Sequence, residues 1–324
     1  MSTKHIVKFV VRCLVLCSLV WLAACGSDEP PAQDAVFIGI VAPQVGLDET
    51  LRSLQFRLKD DGLTNQDTVR IHVIEPTAEN IQSLIEERPQ LIISFFTRPT
   101  HLVLEKLSQA GVNIPVLFGA VSDPVSSKFV DNPDKPTLAT GVSVGDWQGR
   151  SLSRVTALFP RVHRVVIPIK AHDKETQSEF AIMEEASDVA GVSLDTIRYT
   201  QRHGLLSILK RIPRKTQFIW ILRASQNDSG REKLIAQAIS QEIGLFGPQT
   251  DWCTAGALVC VAPDPSLLGQ QMAEMAVQVL GGKPISEIPV EPVRLFAVVN
   301  ADTARRIGIS VTPEVRNQAD LIIE

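Results

Sequence analysis

Apolar residues run in short blocks along most of this chain, and between the blocks they recur at helical spacing. Val36-Phe-Ile-Gly-Ile-Val-Ala42 is an unbroken apolar run of strand length, which reads as a strand buried on both faces. Leu47, Leu51, Leu54 and Leu58 then recur three or four residues apart, the spacing of one helix face. Residues 69–74 alternate and predict a second strand. Ile81, Leu84 and Ile85 mark a helix, 91–96 a strand, 100–110 a helix, and 115–119 and 140–144 two further strands. A second series follows: helix 146–158, strand 162–168, helix 174–190, strand 192–198, a short helix over 205–211, strand 218–222, helix 228–243 and strand 257–262. Helix 266–280 and strand 294–299 remain at the end. Repeated strand–helix units build parallel sheets covered by helices on both faces. The pattern therefore predicts an α/β protein with two doubly wound lobes.

The first block of the chain differs. Lys4, Lys8 and Arg12 precede an apolar run, Cys13 to Leu22; no Asp or Glu precedes residue 25, and the run ends in Leu22-Ala-Ala-Cys25-Gly26. A basic start, a short apolar stretch and small residues are the parts of a secretion signal, and the run is shorter than the roughly 20 apolar residues a bilayer span needs. Small residues ahead of the Cys resemble the bacterial lipobox. That resemblance implies a signal peptide over residues 1–24, cleavage before Cys25, and lipidation of Cys25 by palmitate-like chains. An uncleaved anchor helix with an incidental Cys is the competing expectation. Each buried CH₂ contributes about 0.8 kcal/mol, so several chains hold firmly where one binds reversibly. The polar, Pro-bearing stretch that follows makes 25–35 a lipidated tether. The sequence leaves open which membrane, inner or outer, receives it.

Composition narrows the body of the chain. No later stretch is apolar for 18 residues, so nothing after the leader is expected to cross a membrane. Removing the leader's three positive charges takes the formal net charge from −4 to −7, which argues against nucleic acid as a partner. About 300 residues remain, enough for two ordinary domains. The six His residues lack metal-ligand spacing, and no Gly-x-Ser-x-Gly or Gly-x-Gly-x-x-Gly motif occurs, so neither a metal, a cofactor nor an enzyme activity is expected. Cys253 and Cys260 lie beyond the lipid anchor. On one extended strand they would be about 23 Å apart, and a disulfide tolerates about 7 Å between Cα atoms. Either a turn at Thr254-Ala-Gly256 folds them together or they are two separate thiols.

Open parallel sheets bind ligands at the loops after the carboxyl ends of their strands. Those loops are polar here: Thr97 and Arg98 after the third strand, Ser122 and Asp123 after the fourth, and Arg223, Ser225 and Gln226 after the strand at 218–222. Asp123-Pro124 also suits a turn whose carboxylate caps the next helix, so a binding and a structural role both stand.

Asn113-Ile-Pro-Val-Leu-Phe-Gly-Ala-Val-Ser-Asp-Pro-Val125 is similar to the IPIVFxxVxDPV segment of ABC-transporter substrate-binding proteins of the tryptophan/tyrosine-transporter type. Thr140-Gly-Val-Ser143, Gly256-Ala-Leu-Val, Leu268-Gly-Gln-Gln-Met-Ala, Leu280-Gly-Gly-Lys-Pro284 and Ile307-Gly-Ile-Ser continue the resemblance in order across the rest of the chain. It implies a type I periplasmic binding protein: two Rossmann-like lobes joined by crossover hinge strands, with a small molecule held between them. The N-terminal lobe would be 36–143 plus about 263–293, and the C-terminal lobe 144–262 plus about 294–324. The family pattern points to Thr97, Ser122, Asp123 and Ser143. Departures from it shape the rest of the candidate set. The first loop, with Gln44, is short and lacks the family's Glu-His-Pro. Pro168-Ile-Lys170-Ala stands where Tyr-Asn-Pro is usual, Arg223-Ala-Ser225-Gln226 for Thr-Asp-Asn, and Pro263-Asp264-Pro for Asp-Tyr-Tyr. Lys170 and Arg223 suit an anionic group; otherwise they are solvated or pair with Asp251 or Asp264. Trp252 either walls the cleft or packs. The implied function is capture of an amino-acid-like or small anionic molecule for an ABC permease and its ATPase. The alternative is a sensing lipoprotein coupled to a membrane signalling protein.

Overall fold

In a computed structural model, residues 36–60, 69–200, 202–213, 216–227 and 229–324 are described. The expected signal peptide, the lipidation of Cys25 and the tether lie outside these residues.

Two sheets carry the molecule. The first contains, from edge to edge, β11 (Glu291–Pro292), β5 (Thr140–Ser143), β4 (Val116–Val121), β3 (Leu91–Phe95), β1 (Val36–Val41) and β2 (Val69–Ile74), all parallel. Helices α1 (Asp48–Leu58), α2 (Ala78–Glu86) and α3 (Thr97–Ala110) connect its strands. The second runs β13 (Leu321–Ile323), β12 (Leu295–Asn300), β10 (Val259–Pro263), β9 (Gly244–Gly247), β8 (Phe218–Trp220), β6 (Arg164–Lys170) and β7 (Ser193–Tyr199). Its helices include α4 (Trp147–Leu158), α5 (Lys174–Ala190), α6 (Arg231–Ser240) and α7 (Thr250–Thr254). The continuous apolar runs are the buried strands: every residue of β3 is buried, as is all of β1 beyond Val36.

Three expectations need correction. The second sheet is mixed, because β12 runs antiparallel to β10. Residues 228–243 are not one helix leading to the strand near 260; α6 ends at Ser240 and the short strand β9 intervenes. Four buried residues that begin and end in glycine show neither alternation nor a long apolar run. Gly247 is required there, since a Cβ would lie 2.5 Å from Trp252 Cβ and 2.9 Å from Cys260 Sγ. Finally, α3 begins at Thr97 rather than near 100.

Helix α8 (Pro265–Leu280) follows β10 of the second sheet yet packs on α1, β4 and β5 of the first. Gly269 makes that possible: a side chain there would meet Thr50 O at 2.3 Å. The chain thus passes between sheets three times, through 144–146, Asp264 and 293–294. The first two connections leave the carboxyl ends of β5 and β10. The third enters β12 at Leu295, which lies opposite Pro263 at the carboxyl end of β10. Connections this short hold the carboxyl edges of the two sheets next to each other.

Side chains from both sides fix the crossings. Gln271 of α8, fully buried, donates to Glu291 Oε2 (3.0 Å) and Pro292 O (3.2 Å) and accepts from Arg294 N (2.8 Å). Arg150 and Arg154 of α4 donate to Val293 O and Leu295 O, each at 2.8 Å.

Candidate functional site

A crevice in an open α/β sheet opens where neighbouring strands send their connections to opposite faces. In the first sheet that point lies between β1 and β3, since β1 sits between β2 and β3. In the second it lies between β6 and β8, since β6 sits between β7 and β8. The crossings set these two edges next to one another, and the two crevices together are the candidate site.

On the first lobe the crevice is bordered by the loop carrying Gln44 and by the start of α3 with Thr97 and Arg98. Gln44 lines a small groove with Pro43, Asp48 and Glu75. Arg98 is exposed and also lines a groove outside the crevice, with Pro76, His101 and Glu105. No side chain caps α3, so its leading N–H groups are available to an acceptor. Its N-cap residue is Phe96, at φ 71° and ψ 160° and 38% exposed. A bulky residue at positive φ is strained by about 1–3 kcal/mol, and such strain concentrates at binding sites. Ala120, in β4, and His172, just after β6 on the opposite lobe, also have positive φ, at 56° and 63°. Sequence reading missed Phe96 and His172, because backbone angles leave no mark on residue type when the residue is not glycine.

On the second lobe Lys170 ends β6, and Arg223 to Gln226 follow β8. Arg223 does not pair with Asp251 or Asp264. Its Nη2 donates to Glu175 Oε1 at 3.1 Å, and its Nε lies 3.3 Å from Glu179 Oε1. Both carboxylates sit on α5, one helical turn apart. Glu179 is buried and accepts from Ala224 N at 3.1 Å. Burial pushes the Glu179 carboxyl up; the Ala224 bond and the Arg223 charge oppose that shift, and Glu175 adds to it. In sequence these two residues look like solvated charges on a helix face. Gln226 Oε1 is buried without a hydrogen-bond partner.

The remaining candidates have other surroundings. Ser225 is buried, with its Oγ 2.8 Å from Tyr199 Oη, and so serves the lobe's interior. Asp123 accepts from Ser126 N at 2.8 Å, and hydrogen bonds from Ser126 hold its carboxyl below its ordinary value. Ser143 Oγ donates to Ser122 O at 3.3 Å, and Asp264 caps α8 by accepting from Leu267 N at 3.0 Å. These four border the crossings. Asp251 lies apart on α7, paired with Arg231. Trp252 is fully buried and packs. Cys253 and Cys260 are disulfide-bonded with Cα atoms 6.0 Å apart, the turn between α7 and β10 bringing them together. Among the described residues no cluster of three or more His, Cys, Asp or Glu is arranged to hold a metal ion, and no helix is long and apolar enough to cross a membrane.

The family model described as ABC transporter substrate binding protein matches residues 36–323. The chain belongs to that family. This substrate-binding protein is 20% identical to the "Tyrosine-binding protein" of Clostridioides difficile (strain R20291) over 285 residues, 86% of this chain and 81% of that one. Among solved structures it is similar to a ligand-free, open substrate-binding protein with adhesive properties from Clostridium difficile (20% identity, TM-score 0.71, 89% of this chain and 99% of that one). It is also similar to an ABC domain from Streptococcus pneumonia in complex with L-Trp (21% identity, TM-score 0.57, 90% and 100%). Those likenesses show a type I periplasmic-binding fold, two α/β lobes whose sheets are parallel but for the β10–β12 pair.

Proposed function

We propose that this substrate-binding protein works outside the cytoplasm, tethered by lipid at Cys25, and captures an amino acid with a large apolar side chain for an ABC permease and its ATPase. The observation that carries this reading is the apposition of two switch-point crevices across three short crossings. The chemistry of the two edges supports an amino acid over a polyanion. Arg223 is already compensated by Glu175 and Glu179, which leaves that edge suited to an ammonium group. The uncapped start of α3 suits a carboxylate, and Phe96 offers apolar surface beside it. Relatives named for tyrosine binding or solved with L-Trp point to the same class.

The test is a thermal-shift and calorimetric screen of the purified protein against the amino acids and small anions. Ligand at about 100 times its Kd stabilises by about 2.7 kcal/mol through mass action. L-Tyrosine or L-tryptophan is expected to raise the melting temperature and to bind one per chain. A shift with phosphate or a dicarboxylate and none with amino acids would overturn the ligand class. Export and tethering are read separately: Cys25→Ser is expected to move the protein from the membrane fraction to the soluble one.

A further inference from the structure

The turn after β8 carries part of the second lobe's contribution to the site, and a buried carboxylate holds it alongside the Ser225–Tyr199 hydrogen bond. Glu179 Oε2 accepts from Ala224 N at 3.1 Å, and Glu179 Oε1 lies 3.3 Å from Arg223 Nε. The carboxylate thus grips two successive residues of the turn from Arg223 to Ser225. The groups facing it are few: the Arg223 guanidinium from the turn, Glu175 one turn earlier on α5, and the uncharged Gln148 side chain from α4. Gln226, the next residue along the turn, keeps a buried Oε1 without a hydrogen-bond partner.

We infer that Glu179 is a positioning residue whose charge fixes the Arg223–Gln226 turn, so that ligand affinity follows the protonation of a carboxylate the ligand does not touch. A charged Glu179 accepts strongly from Ala224 N and anchors the guanidinium. A protonated one loses its ion pair with Arg223, which then keeps only Glu175, and holds Ala224 N by a weaker neutral bond. Burial in front of a single arginine, with Glu175 repelling from the same helix, brings protonation into a milder pH range than for an exposed glutamate. This inference rests on the amino-acid-binding reading for its affinity consequence, while the anchoring of the turn stands apart from it.

Two measurements on the wild-type chain and on Glu179→Gln test it. In nuclear magnetic resonance spectra the Ala224 amide of the wild type is expected to titrate with a midpoint above the ordinary glutamate value, and the same amide in Glu179→Gln to stay fixed. By calorimetry with L-tyrosine and L-tryptophan, wild-type affinity is expected to fall by up to about tenfold as pH is lowered through the midpoint that the Ala224 amide reports, the size of one charge-assisted hydrogen bond. Glu179→Gln, a mimic of the protonated form, is expected to show the weaker affinity throughout with no pH dependence. A wild-type Ala224 amide that does not titrate, or a Glu179→Gln affinity profile matching the wild type, would overturn the positioning role. Failure of the wild type to bind either amino acid would overturn the ligand reading alone, and the Ala224 titration would still decide the positioning.

Discussion

At the residue scale, two positions separate binding from structure. Phe96 holds a positive φ that glycine adopts without strain, and its ring stands half-exposed at the crevice. Phe96→Gly is expected to leave the melting temperature close to wild type, since relief of strain offsets the added freedom of the unfolded chain. Affinity for L-tryptophan should weaken about threefold to tenfold through loss of aromatic contact. A lower melting temperature with unchanged affinity would make Phe96 a packing residue. Asp123 is the opposite case. Its carboxyl is held low by Ser126, so its contribution to stability is present above the unfolded-state value and is lost as pH falls through the lowered folded-state value. Asp123→Asn should therefore melt below wild type at neutral pH and converge with it as pH falls through that lowered folded-state value; melting curves from neutral to acid pH check the convergence. Both residues show what sequence hides. The Asp-Pro signal at 123–124 made the turn legible, although no helix follows for the carboxylate to cap, whereas nothing in the letters Phe95-Phe96 says that the first is buried and the second turned out by its backbone.

At the scale of elements, the strands were legible because parallel strands covered on both sides must be continuous apolar runs, as β1, β3 and β4 are. Element β9 escaped because four residues with two glycines carry too little pattern, and the antiparallel β12 because strand direction depends on how the chain returns, which a local window does not contain. The positions of the candidate residues at strand ends follow from the strands themselves. Gln44, Thr97, Arg98, Lys170, Arg223 and Gln226 lie at the switch points, while the anchoring role of Glu179 needs the packed neighbours to be seen. The disulfide is an element-scale constraint too, tying α7 to β10 beneath Trp252. It closes a short loop, so its stabilisation should be about 2–3 kcal/mol. Urea unfolding of the Cys253→Ser, Cys260→Ser double variant is expected to lose that amount, and thiol titration of denatured wild type to find neither cysteine reactive before reduction. A reactive pair would contradict the bridge.

At the scale of the molecule, the three crossings do two things at once. They hold the carboxyl edges of the two sheets next to each other, and they are short segments about which lobes of this kind can rotate. Gln271 from one side and Arg150 and Arg154 from the other grip the 291–295 segment, so the hinge is hydrogen-bonded at both borders rather than slack. Gln271→Ala leaves the Arg294 N–H without its side-chain acceptor, and is expected to lower the melting temperature and weaken ligand binding together. Loss of stability with unchanged affinity would separate the clamp from function. The central claim is that a small molecule is captured between the lobes. Small-angle X-ray scattering during titration with L-tyrosine or L-tryptophan tests it most directly. The account predicts a radius of gyration that decreases and levels off at one ligand per chain. A radius that stays constant while calorimetry shows the same ligand binding would contradict capture in the interlobe cleft.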